Sequence, residues 1–237
     1  MPSRPWPQGG DKGMYGMVLP QFIDADRFSA VFTTEELLAQ AEIPIVVKKV
    51  EKGECLFLAE ERHRFTYHVV SGVVRLYLTS REGVEKTLFY HTADTQFGFQ
   101  GFKRNRLTRS TAVAATDCEL LAMDSDDLLL FCNRHTDYYL AYIEYLFQIM
   151  NSQTEEIANL SFENGVRRLA GLLYSLAVSD GCAILYTIDE LASIIGTHRN
   201  TVTNSLSHLR SKGYVAKQLR PIVVEDLAGL RRYLDEE

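Results

Sequence analysis

Two kinds of hydrophobic patterning divide the chain. From residue 43 to 125, short apolar runs alternate with polar positions and are interrupted by glycine turns. Ile43–Val47 leads to Lys52-Gly53-Glu54, and Cys55–Leu58 follows. Tyr67–Val70 meets Ser71-Gly72, Val73–Leu78 meets Arg81-Glu82-Gly83, and Val84–Tyr90 returns. Within this last pair Val74, Leu76 and Leu78 share a face, while Glu85, Thr87 and Phe89 alternate with Val84, Lys86, Leu88 and Tyr90. Strands spaced at about ten residues with turn signals between them predict a sandwich or barrel. A helical period takes over from roughly Asp124 to Leu160. Its later part carries Tyr139, Ile143, Leu146, Met150, Gln153, Ile157 and Leu160, at alternating steps of four and three. That is a heptad seam with one polar position, and it predicts a helix that pairs with a second copy.

A third pattern occupies 187–206. Thr187-x-x-Glu190 is a capping box, which starts a helix by satisfying two orphan N–H groups. Leu191, Ile194 and Ile195 make its apolar stripe, and Gly196 suits a left-handed helix end. Thr197 or His198 opens a second helix in which Val202, Leu206 and Leu209 face inward. Asn200, Asn204 and Ser207 then point outward, and Arg199 flanks the N-terminal end. The layout is that of a helix-turn-helix, whose second helix enters the DNA major groove. Arginine pairs bidentately with guanine and asparagine with adenine, so Asn200 and Asn204 favour an A·T-rich half-site. Lys212-Gly213-Tyr214-Val215 and Ile222-Val223-Val224 read as the strands of a wing, and 226–234 reads as a closing helix.

Charge sharpens this reading. The 237-residue chain has a net charge of −6, yet residues 196–220 hold five Lys or Arg (Arg199, Arg210, Lys212, Lys217, Arg220) and no Asp or Glu. A length of 237 residues, 46% of them hydrophobic, suffices for two modest domains. There is no apolar run of about eighteen residues, so no membrane span is expected. Residues 1–16 are rich in Pro and Gly, lack a signal-peptide layout and are expected to form a mobile tail. Cys55, Cys118, Cys132 and Cys182 are scattered without Cys-x-x-Cys, which argues against structural zinc or an iron–sulfur cluster and for reduced thiols in the cytoplasm. No nucleophile elbow, phosphate loop or metal constellation is present, so neither catalytic residues nor a cofactor are expected.

The order of strand-turn region, long helix and winged reader resembles the CRP/FNR family of bacterial transcription regulators. Val69–Tyr77 is similar to the family's hairpin, Glu155–Phe162 to the end of its dimer helix, and Arg167–Leu173 to the helix that follows. Ile194-Ile195-Gly196 with Arg199-Asn200-Thr201-Val202 is similar to its DNA reader. The resemblance implies an α+β fold. A cyclic-nucleotide-binding-like β-roll (jelly roll) would span 17–133, a dimerisation helix 134–162 and a winged helix-turn-helix 163–237, with a hinge at Phe162–Gly165. It implies a homodimer on an inverted-repeat operator, with RNA polymerase as a further partner if the protein activates. Thr197, His198, Arg199, Asn200, Thr201, Thr203, Asn204, Ser207 and Lys212 are then the candidate DNA contacts.

Cyclic-nucleotide binders of this family carry Phe-Gly-Glu and, downstream, Arg-Ser; the Glu accepts the ribose hydroxyl and the Arg neutralises the phosphate. This chain has Phe97-Gly98-Phe99 and Arg109-Ser110. Phe99 accepts no hydrogen bond, and a ribose hydroxyl buried against it would go unpaired at about 1–3 kcal/mol. Iron–sulfur members need clustered N-terminal cysteines, absent here. Haem-bearing members place Cys and His after the Leu-Phe-Tyr strand, where this chain has Gly98 and Gln100; Met1-Pro2 is similar to their proline end, and His91 reads as an ordinary residue. The arrangement resembles the halorespiration regulators, which sense chlorinated phenols, through Leu19-Pro20-Gln21-Phe22, Glu85–Tyr90 and a reader turn with His198. It departs from them at Asn204, where that group has Arg. An apolar pocket is therefore expected from Tyr90, Phe97, Phe99, Tyr139, Tyr142 and Ile143, with Lys86 as counter-charge. Gln153 and Thr154 align with positions that contact the base in cyclic-nucleotide members. Sensing of a cyclic nucleotide, a haem-bound gas or redox state, and constitutive DNA binding, remain as alternatives.

Overall fold

The structure, a computed structural model, describes residues 22–23, 28, 31–40, 42–102, 107–218 and 220–236. The 1–16 tail, Met1-Pro2 and Leu19-Pro20-Gln21 lie outside the described residues. The chain groups into two compact units. One takes residues 21–79 and 87–152; the other takes residues 80–86 and 153–237.

The first unit is a β-roll. Its strands are β1 (Phe22–Ile23), β2 (Ile45–Val50), β3 (Cys55–Phe57), β4 (Phe65–Ser71), β5 (Val74–Thr79), β6 (which begins at Glu85 and runs to His91), β7 (Gln96–Phe97), β8 (Thr111–Ala114) and β9 (Cys118–Asp124). One sheet has the order β1-β6-β5-β8-β3 and the other β2-β9-β4-β7. Val74, Leu76, Phe89 and Ala112 of the first sheet share one buried core with Val69, Leu120 and Met123 of the second, as the alternating pattern predicts. The turn after β4 requires glycine. Gly72 has φ 87°, and a Cβ there would come within 2.2 Å of the Asp117 carbonyl oxygen.

The helical stretch comprises two helices. α2 (Ser125–Arg134) is capped by Asp124, whose carboxylate accepts from the Asp126 N–H; His135 separates it from the long α3 (Thr136–Phe162). A further helix preceding β2, α1 (Thr34–Gln40), has no counterpart in the sequence reading. It is held by tertiary contacts: Asp94 Oδ1 accepts from both the N–H and the hydroxyl of Thr34, and Leu37 is buried.

Helix α3 presents two opposed apolar ridges. Tyr138, Tyr142, Tyr145, Ile149, Ser152 and Glu156 form the inward ridge; Leu140, Ile143, Phe147, Met150 and Ile157 form the outward one and are exposed. The two are offset by two residues, about 200° around a helix. The seam expected from the sequence coincides with the exposed stripe only in part. Ile143, Met150, Ile157 and Leu160 lie open, whereas Tyr139, Leu146 and Gln153 are half-buried, and Leu140 and Phe147 belong to the exposed stripe instead. The cause is that the tyrosines must face the β-roll core, which turns the outward face by part of a step.

The second unit carries α4 (Gly165–Asp180), β10 (Ala183–Ile184), α5 (Ile188–Ile195), α6 (Arg199–Ser211), β11 (Ile222–Val223) and α7 (Leu227–Asp235). Asn164 caps α4 by accepting from the Val166 and Arg167 N–H groups. β10 and β11 pair antiparallel and a bridge joins Val215 to Val224, which gives the expected wing its return strand. Leu169, Leu173, Leu191, Ile194, Val202, Leu206, Leu209 and Leu230 pack as its core. Arg167 closes the end of α7 by donating to the carbonyls of Tyr233, Leu234 and Glu236. A cation at a helix C-terminus is stabilising, because the unpaired carbonyls there carry partial negative charge.

Candidate DNA interface and effector site

The reader is built from the capping box outward. Glu190 accepts from the Thr187 N–H at 2.7 Å, and Thr187 Oγ1 accepts from the Glu190 N–H at 3.2 Å. Gly196 ends α5 in the left-handed region at φ 64°, and the Thr197 N–H reaches back to the Ala192 carbonyl at 2.9 Å. The apolar face of α6 (Val202, Leu206, Leu209) is buried, so Arg199, Asn200, Thr203, Asn204 and Ser207 form an exposed face. His198 stands at the N-cap, but its side chain makes no capping bond. The start of α6 is therefore not closed by a side chain as the start of α5 is, and N–H groups at such a helix start suit a DNA phosphate.

The candidate DNA contacts are not equivalent. Thr203 and Ser207 donate their hydroxyls back to the carbonyls of Arg199 and Thr203. Thr197 and Thr201 are half-buried, and the Thr201 methyl leans on Gly165. Lys212 is exposed at the C-terminal end of α6. Arg210 is turned to the wing, where it donates to the carbonyls of Ala216 and Gln218, and so serves structure. Asp189, absent from the sequence reading, accepts from Arg199 through both carboxylate oxygens at 3.1 and 2.8 Å. Both side chains are exposed, and such pairs contribute about 0–1 kcal/mol. A guanine edge or a phosphate can displace this one at little cost.

In the β-roll the candidate effector residues separate. Phe97 belongs to the core, stacked on Tyr67 at 5.1 Å and tilted on His91 at 5.3 Å. Tyr90 and Ser110 are buried. Phe99 and Tyr142 do come together, edge to face at 6.1 Å, with Phe102 and Tyr145 completing an aromatic group. Gln96 is bonded to two of its tyrosines. Its Oε1 accepts from the Tyr142 hydroxyl at 2.6 Å, and its backbone carbonyl accepts from the Tyr145 hydroxyl at 2.9 Å. Among the described residues its Nε2 is buried without a hydrogen-bond partner, as is Oε1 of the half-buried Gln100. Burial pushes both tyrosine hydroxyls well up, so each is a neutral donor at physiological pH. Gln96 and Tyr145 were missed by sequence reasoning. Tyr145 was findable, because it lies three residues after Tyr142 on the same helix face.

Within this unit, Arg109 and Ile143 stand apart from the aromatic group. Arg109 is 76% exposed and pairs with Glu60 at 3.0 Å, so it is not turned inward as a phosphate arm. Ile143 lies on the outward ridge of α3. Lys86, Gln153 and Thr154 fall in the other unit, and Lys86 is already engaged by Glu156 at 2.6 Å. Among the described residues no group of His, Cys, Asp and Glu is arranged to hold a metal ion. No helix among them is long and apolar enough to cross a membrane.

A β-roll joined in one chain to a winged helix-turn-helix defines a ligand-responsive, DNA-binding regulator of transcription. Residues 47–135 match the family model described as a cyclic nucleotide-binding domain, and residues 167–233 match that of a Crp-like helix-turn-helix domain. The chain is 30% identical over 195 residues to the cyclic AMP receptor protein of Thermus thermophilus, covering 79% of this chain and 89% of that one. Among solved structures, it is similar to a transcriptional regulator of the crp/fnr family from Eubacterium rectale, with a TM-score of 0.73, 18% identity and coverage of 86% and 96% of the two chains. It is similar in fold to CprK complexed with OCPA, with a TM-score of 0.61, 19% identity and coverage of 79% and 88%. The chain belongs to the CRP/FNR family of transcription regulators. Its curated relatives are regulators of transcription and not enzymes.

Proposed function

We propose that the chain acts in the cytoplasm as a homodimer on an inverted-repeat operator, under the control of a small aromatic effector. RNA polymerase is a further partner if the regulator activates. The observation that carries the effector reading is the Gln96 amide nitrogen, buried without a partner near Phe99, Tyr142 and Tyr145. An unpaired buried donor costs about 1–3 kcal/mol, and a ligand that offers it an acceptor recovers that energy. The rings supply the apolar contact. Lys86 is engaged elsewhere, which removes the counter-charge expected for a phenolate and favours a neutral hydroxyl or carbonyl group on the ring. The name of the Thermus relative favours cyclic AMP as the second reading. Against it stand Phe99 in place of a ribose acceptor and the outward pairing of Arg109.

A thermal-shift titration separates the two. A ligand present at a hundred times its Kd stabilises the folded state by about 2.7 kcal/mol. Neutral phenols are expected to raise the melting temperature of the native protein, and Gln96→Met is expected to remove that rise while leaving the unliganded protein folded. Stabilisation by cyclic AMP alone would overturn the aromatic reading.

The dimer reading rests on the exposed ridge Leu140, Ile143, Phe147, Met150 and Ile157 of α3. Its alternating spacing is that of a coiled-coil seam. Phe147→Glu is expected to give a monomer by sedimentation and to lose operator binding, since one reader then addresses one half-site. A dimer that persists in both Phe147→Glu and Met150→Glu would move the interface elsewhere.

A further inference from the structure

Lys86 is the residue of the sensor-like strand pattern whose contacts do not fit an effector role. Residues 80–86, the tip between β5 and β6, group with residues 153–237. Lys86 makes three contacts in that unit. Its Nζ meets Glu156 Oε1, on the inward ridge of α3, at 2.6 Å. The same Nζ donates to the carbonyl of Ile194, in the last turn of α5. Its aliphatic stem lies over the reader's turn, where a Cβ added to Gly196 would come within 2.8 Å of Lys86 Cδ and 3.3 Å of Leu160 Cδ2. A second cation completes the arrangement. Arg168 donates to the Ile195 carbonyl at 3.2 Å and to the Glu163 carbonyl at 2.8 Å. Two cations thus close the negative end of the reader's first helix, and one of them comes from outside the helix-turn-helix fold.

We infer that Lys86 is a positioning residue of the DNA reader, fixing the turn between α5 and α6 against the end of the long helix. The side chains of Lys86 and Glu156 are only 17% and 12% exposed, so the pair is screened far less than a surface one. Burial draws the lysine's pKa down, and Glu156 opposes that shift. The contact leaves the outward face of α6 open, because Arg199, Asn200, Thr203 and Asn204 stay exposed while it is made. It therefore supports DNA binding and does not block it. Lys86 itself is too enclosed to touch a phosphate.

The test uses the full-length protein and an operator selected from random duplexes, read by fluorescence anisotropy over a series of salt concentrations. Lys86→Met keeps the stem and removes the charge. Operator affinity is expected to fall about tenfold with an unchanged salt slope, and Lys86→Arg to restore most of it. A salt slope lower by about one unit per subunit would make Lys86 a phosphate contact and overturn the inference. Wild-type affinity in Lys86→Met would overturn it as well. Glu156→Gln guards against misfolding: the positioning role requires it to weaken operator binding in the same direction. The double variant should be no weaker than the worse single one, whereas additive losses would mean the two residues act separately.

Discussion

Arg199→Ala is expected to cost more operator affinity than any other single change on the reader. A bidentate arginine–guanine pair is worth about 1–3 kcal/mol, and a two-fold complex loses it twice, so the loss is about 2–6 kcal/mol, roughly thirtyfold to twenty-thousandfold. Arg199 is the one cation at the exposed N-terminal end of α6 among the described residues, next to the cap position that His198 leaves without a side-chain bond. Lys212→Ala should behave differently. It sits at the other end of α6 and is placed for the backbone, so its loss should weaken all sequences about equally and reduce the salt slope by about one unit per subunit. Anisotropy titrations with the selected operator and with an unrelated duplex distinguish the two. An Arg199→Ala protein that keeps its preference for the operator would show that base reading lies elsewhere, with Asn200 and Asn204 the next residues to test.

The reader was legible because local rules decide it. The capping box, the left-handed glycine and the i, i+4, i+7 stripe act over a few residues, and each is realised as read. Strands β2 to β6 were legible from alternation and glycine turns, to within three residues at their ends, whereas β1, β7, β8 and β9 were not read as separate strands. What escaped depends on distance in sequence. Helix α1 is seven residues long and is anchored by Asp94, sixty positions away. Asp189 meets Arg199 across a turn, and Lys86 meets Glu156 from a different part of the fold; no periodicity predicts either pair. The expected seam of α3 takes in half-buried positions for another reason. Tyr138, Tyr142 and Tyr145 are as apolar in pattern as Leu140, Ile143 and Phe147, so hydrophobicity alone does not choose between two opposed faces. The Tyr142 and Tyr145 hydroxyls decide it, because both find their partner in Gln96.

The β-roll should lose stability steeply as pH falls below about 6.5, before carboxylates begin to titrate. His63, His68 and His91 are 7%, 0% and 1% exposed. Burial holds the pKa of His63 down to about 4 and that of His91 down to about 3; His68 is also lowered, with Asp94 opposing the shift. The unfolded chain takes up the His63 and His91 protons near 6.5, the folded chain only near 4 and 3. Stability is therefore full above pH 6.5 and declines as pH drops toward the folded values, by up to about 1.4 kcal/mol per pH unit for each histidine. His63 and His91 together can remove about 3 kcal/mol per pH unit, a sizeable part of the 5–15 kcal/mol typical of a domain, and His68 acts in the same direction. The environment of His91 explains why it resists protonation. Its ring lies among Phe89, Phe97 and Thr95, and among the described residues no acidic partner offsets the burial. Urea unfolding followed by circular dichroism between pH 7.5 and 5, at one protein concentration, measures the slope. His91→Gln, which cannot charge, should flatten it by about one proton's worth. An unchanged slope in that variant would mean that folded His91 already carries its proton in this range.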